Sequence, residues 1–311
     1  MSLTTRRQML GMSAAILAGL SLAACNRGEG GADGKKVMLS VSTQTNPFFV
    51  QLVEGAKKKA EELGVTLEVQ DASDDAATQA NHLQNAVTQQ VACVIVNPTD
   101  SDAIASSVEA LNKAKIPVIA VDRGSSSGEL ASFIASDNVA GGAQAADALA
   151  TAISDKGKII VLQGVPGASA TRDRGKGFTD QIKTHSGIEV VAEQTANFDR
   201  AEGLNVATNL LQANPDVVGI FAHNDEMALG AIEALGARAG KEVKVVAFDG
   251  TADGLAAVEA GTMYATVAQQ PAELGATSVE QAKAVLDGKE TKAEIQVPVV
   301  VVTKENVAEH K

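Results

Sequence analysis

From Lys36 onward, short runs of consecutive apolar residues alternate with longer segments whose apolar residues recur every three or four positions. The short runs have strand length and fall at 37–41, 66–69, 91–96, 117–121, 133–135, 158–162, 189–192, 217–222, 243–248 and 265–268. Between most of them lie alanine-rich segments of helical period, such as 46–63, 76–90, 102–113, 139–153 and 201–211. Strands that are apolar on both faces, separated by amphipathic helices, predict parallel sheets covered on both sides. About ten strands exceed what one small sheet needs, so two α/β units are expected, the second beginning near Val139. A chain of 311 residues is long enough for both to bury a core. No fixed-period repeat runs through it.

In open α/β sheets a ligand sits beyond the carboxyl ends of the strands. The unusual polar and aromatic residues fall there. Asn46, Phe48 and Phe49 follow the first strand and Asp122-Arg123 the fourth; Arg174 opens a helix and Phe198 sits in a loop. Asn224, Asp249 and Gln269 close later strands. Two sheets facing each other across their carboxyl edges would make a cleft lined from both sides. A sugar hydroxyl both donates and accepts, so carboxylates, amides and guanidinium forks all serve it. Phenyl rings cover the C–H face of a sugar and limit its size, which favours a pentose over a hexose. Aromatics are scarce, with seven Phe, one Tyr and no Trp, and three of the seven Phe lie in these motifs rather than in the strands.

Each residue also has a plainer reading. The two Phe could be core, Asp122-Arg123 a surface ion pair, Asn224 a helix cap and Asp249-Gly250 a turn. Arg172 competes with Arg174, and Gln270 with Gln269. Their joint occurrence favours the cleft.

Residues 1–25 differ from the body. A positive start with Arg6 and Arg7, an apolar stretch from Met9 to Ala24 and small residues before Cys25 make an export signal. Leu22-Ala23-Ala24-Cys25 resembles the lipobox of bacterial lipoproteins, which implies a lipidated Cys25 at the new N-terminus. Thr5-Arg6-Arg7-Gln8-Met9-Leu10 resembles a twin-arginine motif, with a plain Sec signal as the alternative. The apolar run is shorter than the ~20 residues that cross a bilayer. Residues 26–35, rich in glycine, read as a flexible tether. The net charge is −12; the leader takes Arg6 and Arg7 with it, so 38 acids then face 24 bases and the body carries −14. Such a body does not attract nucleic acid or anionic lipid.

Enzyme signatures are missing. No G-x-G-x-x-G follows a strand; 164–167 lacks that spacing and reads as a turn. Gly167-Ala168-Ser169-Ala170-Thr171 fails the G-x-S-x-G pattern. Four His lack metal-ligand spacing, and His223 reads as structural, so no metal or cofactor is expected. Cys93 lies in an apolar run and reads as core, and two cysteines with Cys25 lipidated leave no disulfide framework. Asp122 and Asp249 meeting across the cleft would suit a glycosidase pair, but neighbouring arginines are expected to keep both ionised.

The sequence resembles the bacterial ribose-binding proteins, type I periplasmic binding proteins that serve sugar ABC importers. The resemblance runs from about Lys36 to Thr303. It is carried by Ser42-Thr43-Gln44-Thr45-Asn46-Pro47-Phe48-Phe49, Asn97-Pro98-Thr99-Asp100-Ser101-Asp102-Ala103 and Ile134-Ala135-Ser136-Asp137-Asn138. It continues in Phe198-Asp199-Arg200, Asn224-Asp225-Glu226-Met227-Ala228-Leu229-Gly230 and Phe248-Asp249-Gly250-Thr251. The resemblance implies two Rossmann-like lobes joined by three crossings, 36–137 with 270–297 and 138–269 with 298–311. It implies hinges at Ser136, Asp137, Gln270 and Pro298. Asn46, Asp122 and Arg123 would serve the sugar from one lobe and Arg174, Asn224 and Asp249 from the other. Phe48, Phe49 and Phe198 would flank it, and Gln269 would lie at a crossing. The implied role is capture of D-ribose by hinge closure and delivery to an ABC permease, by an exported monomer anchored through lipid alone. Some such proteins also engage a chemotaxis receptor. Allose, galactose or autoinducer-2 remain open as ligands, and a glycoside-processing enzyme is the reading from another class. Repressors of the LacI type share the body but need a helix-turn-helix headpiece, where this chain carries an export leader.

Overall fold

The computed structural model describes residues 36–310; the expected export signal, Cys25 and tether lie outside the described residues. In chain order the first elements are β1 (Val37–Val41), α1 (Pro47–Leu63), β2 (Leu67–Asp71), α2 (Ala76–Gln89), β3 (Cys93–Val96), α3 (Ala105–Lys113), β4 (Val118–Val121) and β5 (Ser132–Ser136). Next come α4 (Asn138–Ala152), β6 (Gly157–Gln163), α5 (Ser169–Ile182), β7 (Ile188–Thr195), α6 (Arg200–Ala213), β8 (Val217–Ala222), α7 (Asp225–Leu235), β9 (Lys244–Asp249), α8 (Ala252–Ala260) and β10 (Ala265–Ala268). α9 (Pro271–Leu286), β11 (Glu294–Val297) and β12 (Val300–Thr303) close the chain.

These strands form two sheets with the same plan. One has the order β11-β5-β4-β3-β1-β2 and the other β12-β10-β9-β8-β6-β7. All pairs are parallel except β10 with β12. The order reverses at β1/β3 in one sheet and at β6/β8 in the other, the switch points where doubly wound sheets open a crevice. Alternate residues explain why the strands are apolar throughout. Val37, Leu39 and Val41 enter one core with Cys93, Ile95 and Ile119, whereas Met38 joins Val94, Val96 and Leu111 on the opposite face. The second sheet does the same, with Ile160, Leu162 and Ala222 on one face and Ile159, Val161 and Phe221 on the other.

The chain passes between the sheets three times. After β5 it enters α4, whose Ala145 and Leu149 pack in the second sheet's core. After β10 it enters α9, whose Leu274 and Val279 pack in the first sheet's core. Between β11 and β12 it passes from the first sheet to the second. β11 and β12 bring the strands to twelve among the described residues, two more than the sequence pattern shows. They are four-residue edge strands, and β11 (Glu-Ile-Gln-Val) has no apolar run to betray it. α3 begins at Ala105 rather than at 102; residues 101–104 form a turn in which the Asp100 carboxylate accepts the N–H groups of Asp102 (2.8 Å) and Ala103 (2.9 Å).

Three helix pairs meet backbone against backbone through reciprocal glycines. A Cβ on Gly55 would stand 2.1 Å from the Ala272 carbonyl oxygen, and one on Gly275 2.0 Å from that of Leu52. Gly142 and Gly177 do the same for α4 and α5, against the Arg174 (2.2 Å) and Val139 (2.0 Å) oxygens. Gly203 and Gly230 join α6 to α7, where a Cβ would come within 2.7 Å of Met227 Cα and 2.2 Å of the Arg200 oxygen.

Candidate functional site

All ten side chains singled out as sugar contacts line one cleft between the two sheets, with Ala170 as an addition. Its volume is about 240 Å³ including the space open to its mouth. A space of that size suits a small, compact ligand.

From the first sheet, the loop after β1 delivers Asn46. Its Oδ1 accepts from the Phe48 N–H (2.9 Å) and so starts α1; the amide NH2 is thereby left for the cleft. Pro47 supports the helix start, and Phe48 and Phe49 stand edge to face in its first turn, with centroids 5.1 Å apart. Both rings belong to the core and to the cleft wall at once. Asp122 and Arg123 follow β4 and are buried, at 3% and 5% exposure, which rules out a surface ion pair. Asn97 donates to Asp122 Oδ2 (3.3 Å) while its own Oδ1 accepts from the Ser42 N–H (3.1 Å) and hydroxyl (2.8 Å). Arg123 donates to the carbonyls of Pro98 (3.1 Å) and Thr99 (3.3 Å). Its guanidinium lies 5.2 Å from the Phe49 centroid and 5.0 Å from that of Phe198 on the opposite side of the cleft.

From the second sheet, Arg174 comes in the second turn of α5 rather than at a helix start, because α5 already begins at Ser169. Its Nε donates to Asn138 Oδ1 (2.8 Å), and Nη1 donates to the His223 carbonyl (2.7 Å) and lies 3.5 Å from Asp249 Oδ1. It stacks 3.9 Å over Phe248. Arg172 points elsewhere, to the Gly167 carbonyl (2.9 Å), so Arg174 is the cleft group. Asn224 caps α7 through the Met227 N–H (3.0 Å) and donates to the Phe198 carbonyl (3.2 Å). Gln269 donates to Asp249 Oδ1 (2.6 Å), whereas Gln270 turns to the Pro298 carbonyl (3.0 Å).

Three buried polar atoms of the cleft have no hydrogen-bond partner: Asp122 Oδ1, Gln269 Oε1 and Arg123 Nε, which stands 3.6 Å from Asp122 Oδ2 in an ion pair. Leaving such atoms unpaired costs about 1–3 kcal/mol each, so a stable binding site supplies partners from the ligand. Three cleft residues also occupy a backbone region that side chains rarely adopt: Asp122 (φ 65°), Phe198 (φ 62°) and Asp249 (φ 124°). Such strain clusters at ligand sites.

Burial and the arginines act in opposite directions on the two cleft carboxyls. Burial pushes the carboxyls of Asp122 and Asp249 up, and the neighbouring arginines offset this only in part. The same burial lowers Arg123 and Arg174 from their usual value, yet a guanidinium keeps its proton. His223, enclosed beside Arg174 with both ring nitrogens unpartnered, is pushed down to about 3 and stays neutral. Among the described residues no group of His, Cys, Asp and Glu is arranged to hold a metal ion. Burial raises the Cys93 thiol to about 12, so it stays a protonated core group.

The two sides are bonded directly beside the cleft. The Ser101 N–H donates to the Gly167 carbonyl (3.1 Å), the Ser169 N–H to Ser101 Oγ (3.1 Å), and the Gly124 N–H to Ser169 Oγ (2.9 Å). Sequence reasoning did not single out these serines, Ala170, Asn97 or Asn138 as working parts. Asn97, Ser101 and Asn138 do lie in the motifs that carry the resemblance.

Residues 37–290 match the periplasmic binding protein domain. The ribose import binding protein of Haemophilus influenzae is 43% identical over 298 residues, 96% of this chain and 100% of that protein. The ribose import binding protein of Escherichia coli K12 is 46% identical over 269 residues, 86% of this chain and 90% of that one. Among solved structures, an ABC transporter periplasmic solute binding protein from Actinobacillus succinogenes with bound D-allose superposes with a TM-score of 0.82. It is 32% identical, and the match covers 88% of this chain and 99% of that one.

Proposed function

The chain belongs to the periplasmic binding protein family, and on that premise we propose that it captures D-ribose in the cleft between its lobes and hands it to an ABC permease. The family and the relatives are binding components of sugar transport, so the chain is an exported binding protein and not an enzyme. One observation carries the ligand reading. A donor (Arg123 Nε) and two acceptors (Asp122 Oδ1, Gln269 Oε1) lie without a hydrogen bond in a small cleft walled by three Phe rings. A sugar hydroxyl answers both kinds, and its ring C–H faces answer the phenyl groups. D-Ribose in particular is supported by the two ribose import relatives.

We take the lobes as 36–137 with 270–297 and 138–269 with 298–311, and the hinge as Ser136, Asp137, Gln270 and Pro298. The membership of β11 and β12 in different sheets supports these limits. The role of each cleft residue is part of the same proposal: the polar groups take the hydroxyls, and Phe48, Phe49 and Phe198 sandwich the ring. In this reading the protein works as a monomer, docks on its permease when closed, and is held to the membrane by a lipid on Cys25. Some proteins of this class also engage a chemotaxis receptor.

Calorimetric titration with D-ribose, then allose, galactose and autoinducer-2, tests the ligand. Micromolar or tighter binding of ribose with the others much weaker is expected. A hexose must find room and a partner for one more carbon and hydroxyl. Tight binding of another ligand with no heat from ribose would replace the ligand and keep the class. Cys25→Ala is expected to move the protein from the membrane to the soluble fraction; continued membrane retention refutes the anchor.

A further inference from the structure

Asp225 stands behind the cleft wall. It is fully buried and is not among the residues that line the cleft. Its carboxylate nevertheless accepts three hydrogen bonds, all from the two segments that carry Asp249 and Gln269. Oδ2 takes the Thr251 N–H (2.7 Å) and hydroxyl (3.0 Å), and Oδ1 takes the Thr266 hydroxyl (2.7 Å). Thr266 Oγ1 in turn accepts the Gly250 N–H (3.2 Å), which ties β10 to the turn after β9. Thr251 Oγ1 accepts from Gly254 (3.1 Å) and so starts α8 from the same anchor.

The turn held in this way is a demanding one. Asp249 has φ 124° and Gly250 φ 74°, so two successive residues lie outside the usual L-residue regions. At Gly254 a Cβ would come within 2.1 Å of Asp225 Oδ2, so α8 begins against the carboxylate itself. Stability alone does not account for a second buried carboxylate here. Its charge opposes ionisation of Asp249, and a packed apolar side chain would avoid its desolvation. What Asp225 does supply is a fixed anchor for both strands that end at the cleft.

We propose that Asp225, acting through Thr251 and Thr266, is a positioning residue that holds Asp249 and its partner Gln269 in the geometry the sugar reads. The inference rests on the reading of the cleft as a sugar site. The Asp249–Gln269 bond of 2.6 Å and the 3.5 Å approach of Arg174 to the same oxygen both depend on where the Asp249 carboxylate stands.

The test is D-ribose titration and stopped-flow dissociation on the full chain and its variants. Thr266→Val, which removes the hydroxyl and keeps the shape, is expected to weaken binding about tenfold or more, chiefly through faster dissociation. Thr266→Ser, which restores the hydroxyl, is expected to recover all but about twofold of the affinity. In an Asp249→Asn background Thr266→Val should cost little more, since groups acting through one another are not additive. Asp225→Asn should weaken binding as Thr266→Val does; if it fails to fold, the Thr266 pair carries the test. Unchanged affinity in Thr266→Val, or the same loss in both backgrounds, overturns the positioning role while wild-type binding leaves the cleft assignment standing. A wild-type chain that takes no D-ribose overturns the proposed function and this inference with it.

Discussion

Gly164 sets where the Phe198 ring stands, so Gly164→Ala tests that ring without touching any polar group of the cleft. A Cβ at 164 would lie 2.1 Å from Phe198 Cζ, 2.3 Å from Cε1 and 2.4 Å from Cε2. Non-bonded carbons pack at about 3.5 Å or more, so from 2.1 Å the ring must retreat by roughly 1.4 Å. It already stands 5.0 Å from the Arg123 guanidinium and 5.9 Å from that of Arg174, in a cleft of about 240 Å³, so that displacement is large on the scale of the site. Loss of a phenyl wall forfeits a good part of the ~1.5–3 kcal/mol that burying such a side chain is worth. That corresponds to about ten- to hundredfold in affinity. The fold should notice less, because the clash falls on the far end of a half-buried loop side chain and not on backbone. Calorimetry with D-ribose and thermal unfolding of the sugar-free protein give the two numbers. Affinity within about twofold of the parent, at unchanged melting temperature, would show that Phe198 is no wall of the site.

Arg123→Ala removes a charged donor worth about 1.5–3 kcal/mol to the ligand and leaves Asp122 without its nearest counter-charge, so tight binding should vanish while the protein stays folded by circular dichroism. Unchanged affinity would sink the site assignment. Ser169→Ala deletes the hydroxyl that accepts from Gly124 at 2.9 Å across the cleft. Losing about 0.5–1.5 kcal/mol of closure should speed dissociation about two- to tenfold. The factor should be the same for every sugar bound, and a factor confined to one sugar refutes a part for this bond in closure. His185 is raised above its usual value by hydrogen bonds to Asp147 and Asp155, at 3.0 and 2.6 Å. A raised histidine supplies stability that is fully present below its unfolded value of 6.5 and is lost as pH climbs through the folded one. His185→Gln should therefore lower the melting temperature more at about pH 5.5 than at about pH 8.5, and equal losses contradict the ion pairs.

The layered α/β plan was legible because parallel strands buried on both faces must be apolar throughout. β11 escaped because a strand at the sheet edge is half exposed; only Val297 of its four residues is buried. The start of α3 escaped because the turn at 101–104, with Asp100 accepting the N–H groups of Asp102 and Ala103, has the same local pattern as a capped helix start. In the cleft, every residue whose type suits a sugar and whose place is a strand end could be found from the sequence. Asn97, Asn138 and Asp225 could not be assigned work, since each acts on another side chain and that partnership exists only in three dimensions. The upward pull of burial on the cleft carboxyls was hidden for a related reason. Sequence shows that Asp122 has Arg123 for a neighbour but not that both are taken out of water.

The reciprocal glycines of α1/α9, α4/α5 and α6/α7 have a bearing on how such a protein can diverge. Each crossing leaves no space for even a methyl group, so these six positions accept hardly any other residue, and the helices they join cannot slide. The side chains lining the cleft instead project from strand ends, loops and helical turns, where exchanging one polar group for another leaves those crossings untouched. Inheritance can therefore rewrite the ligand and keep the frame.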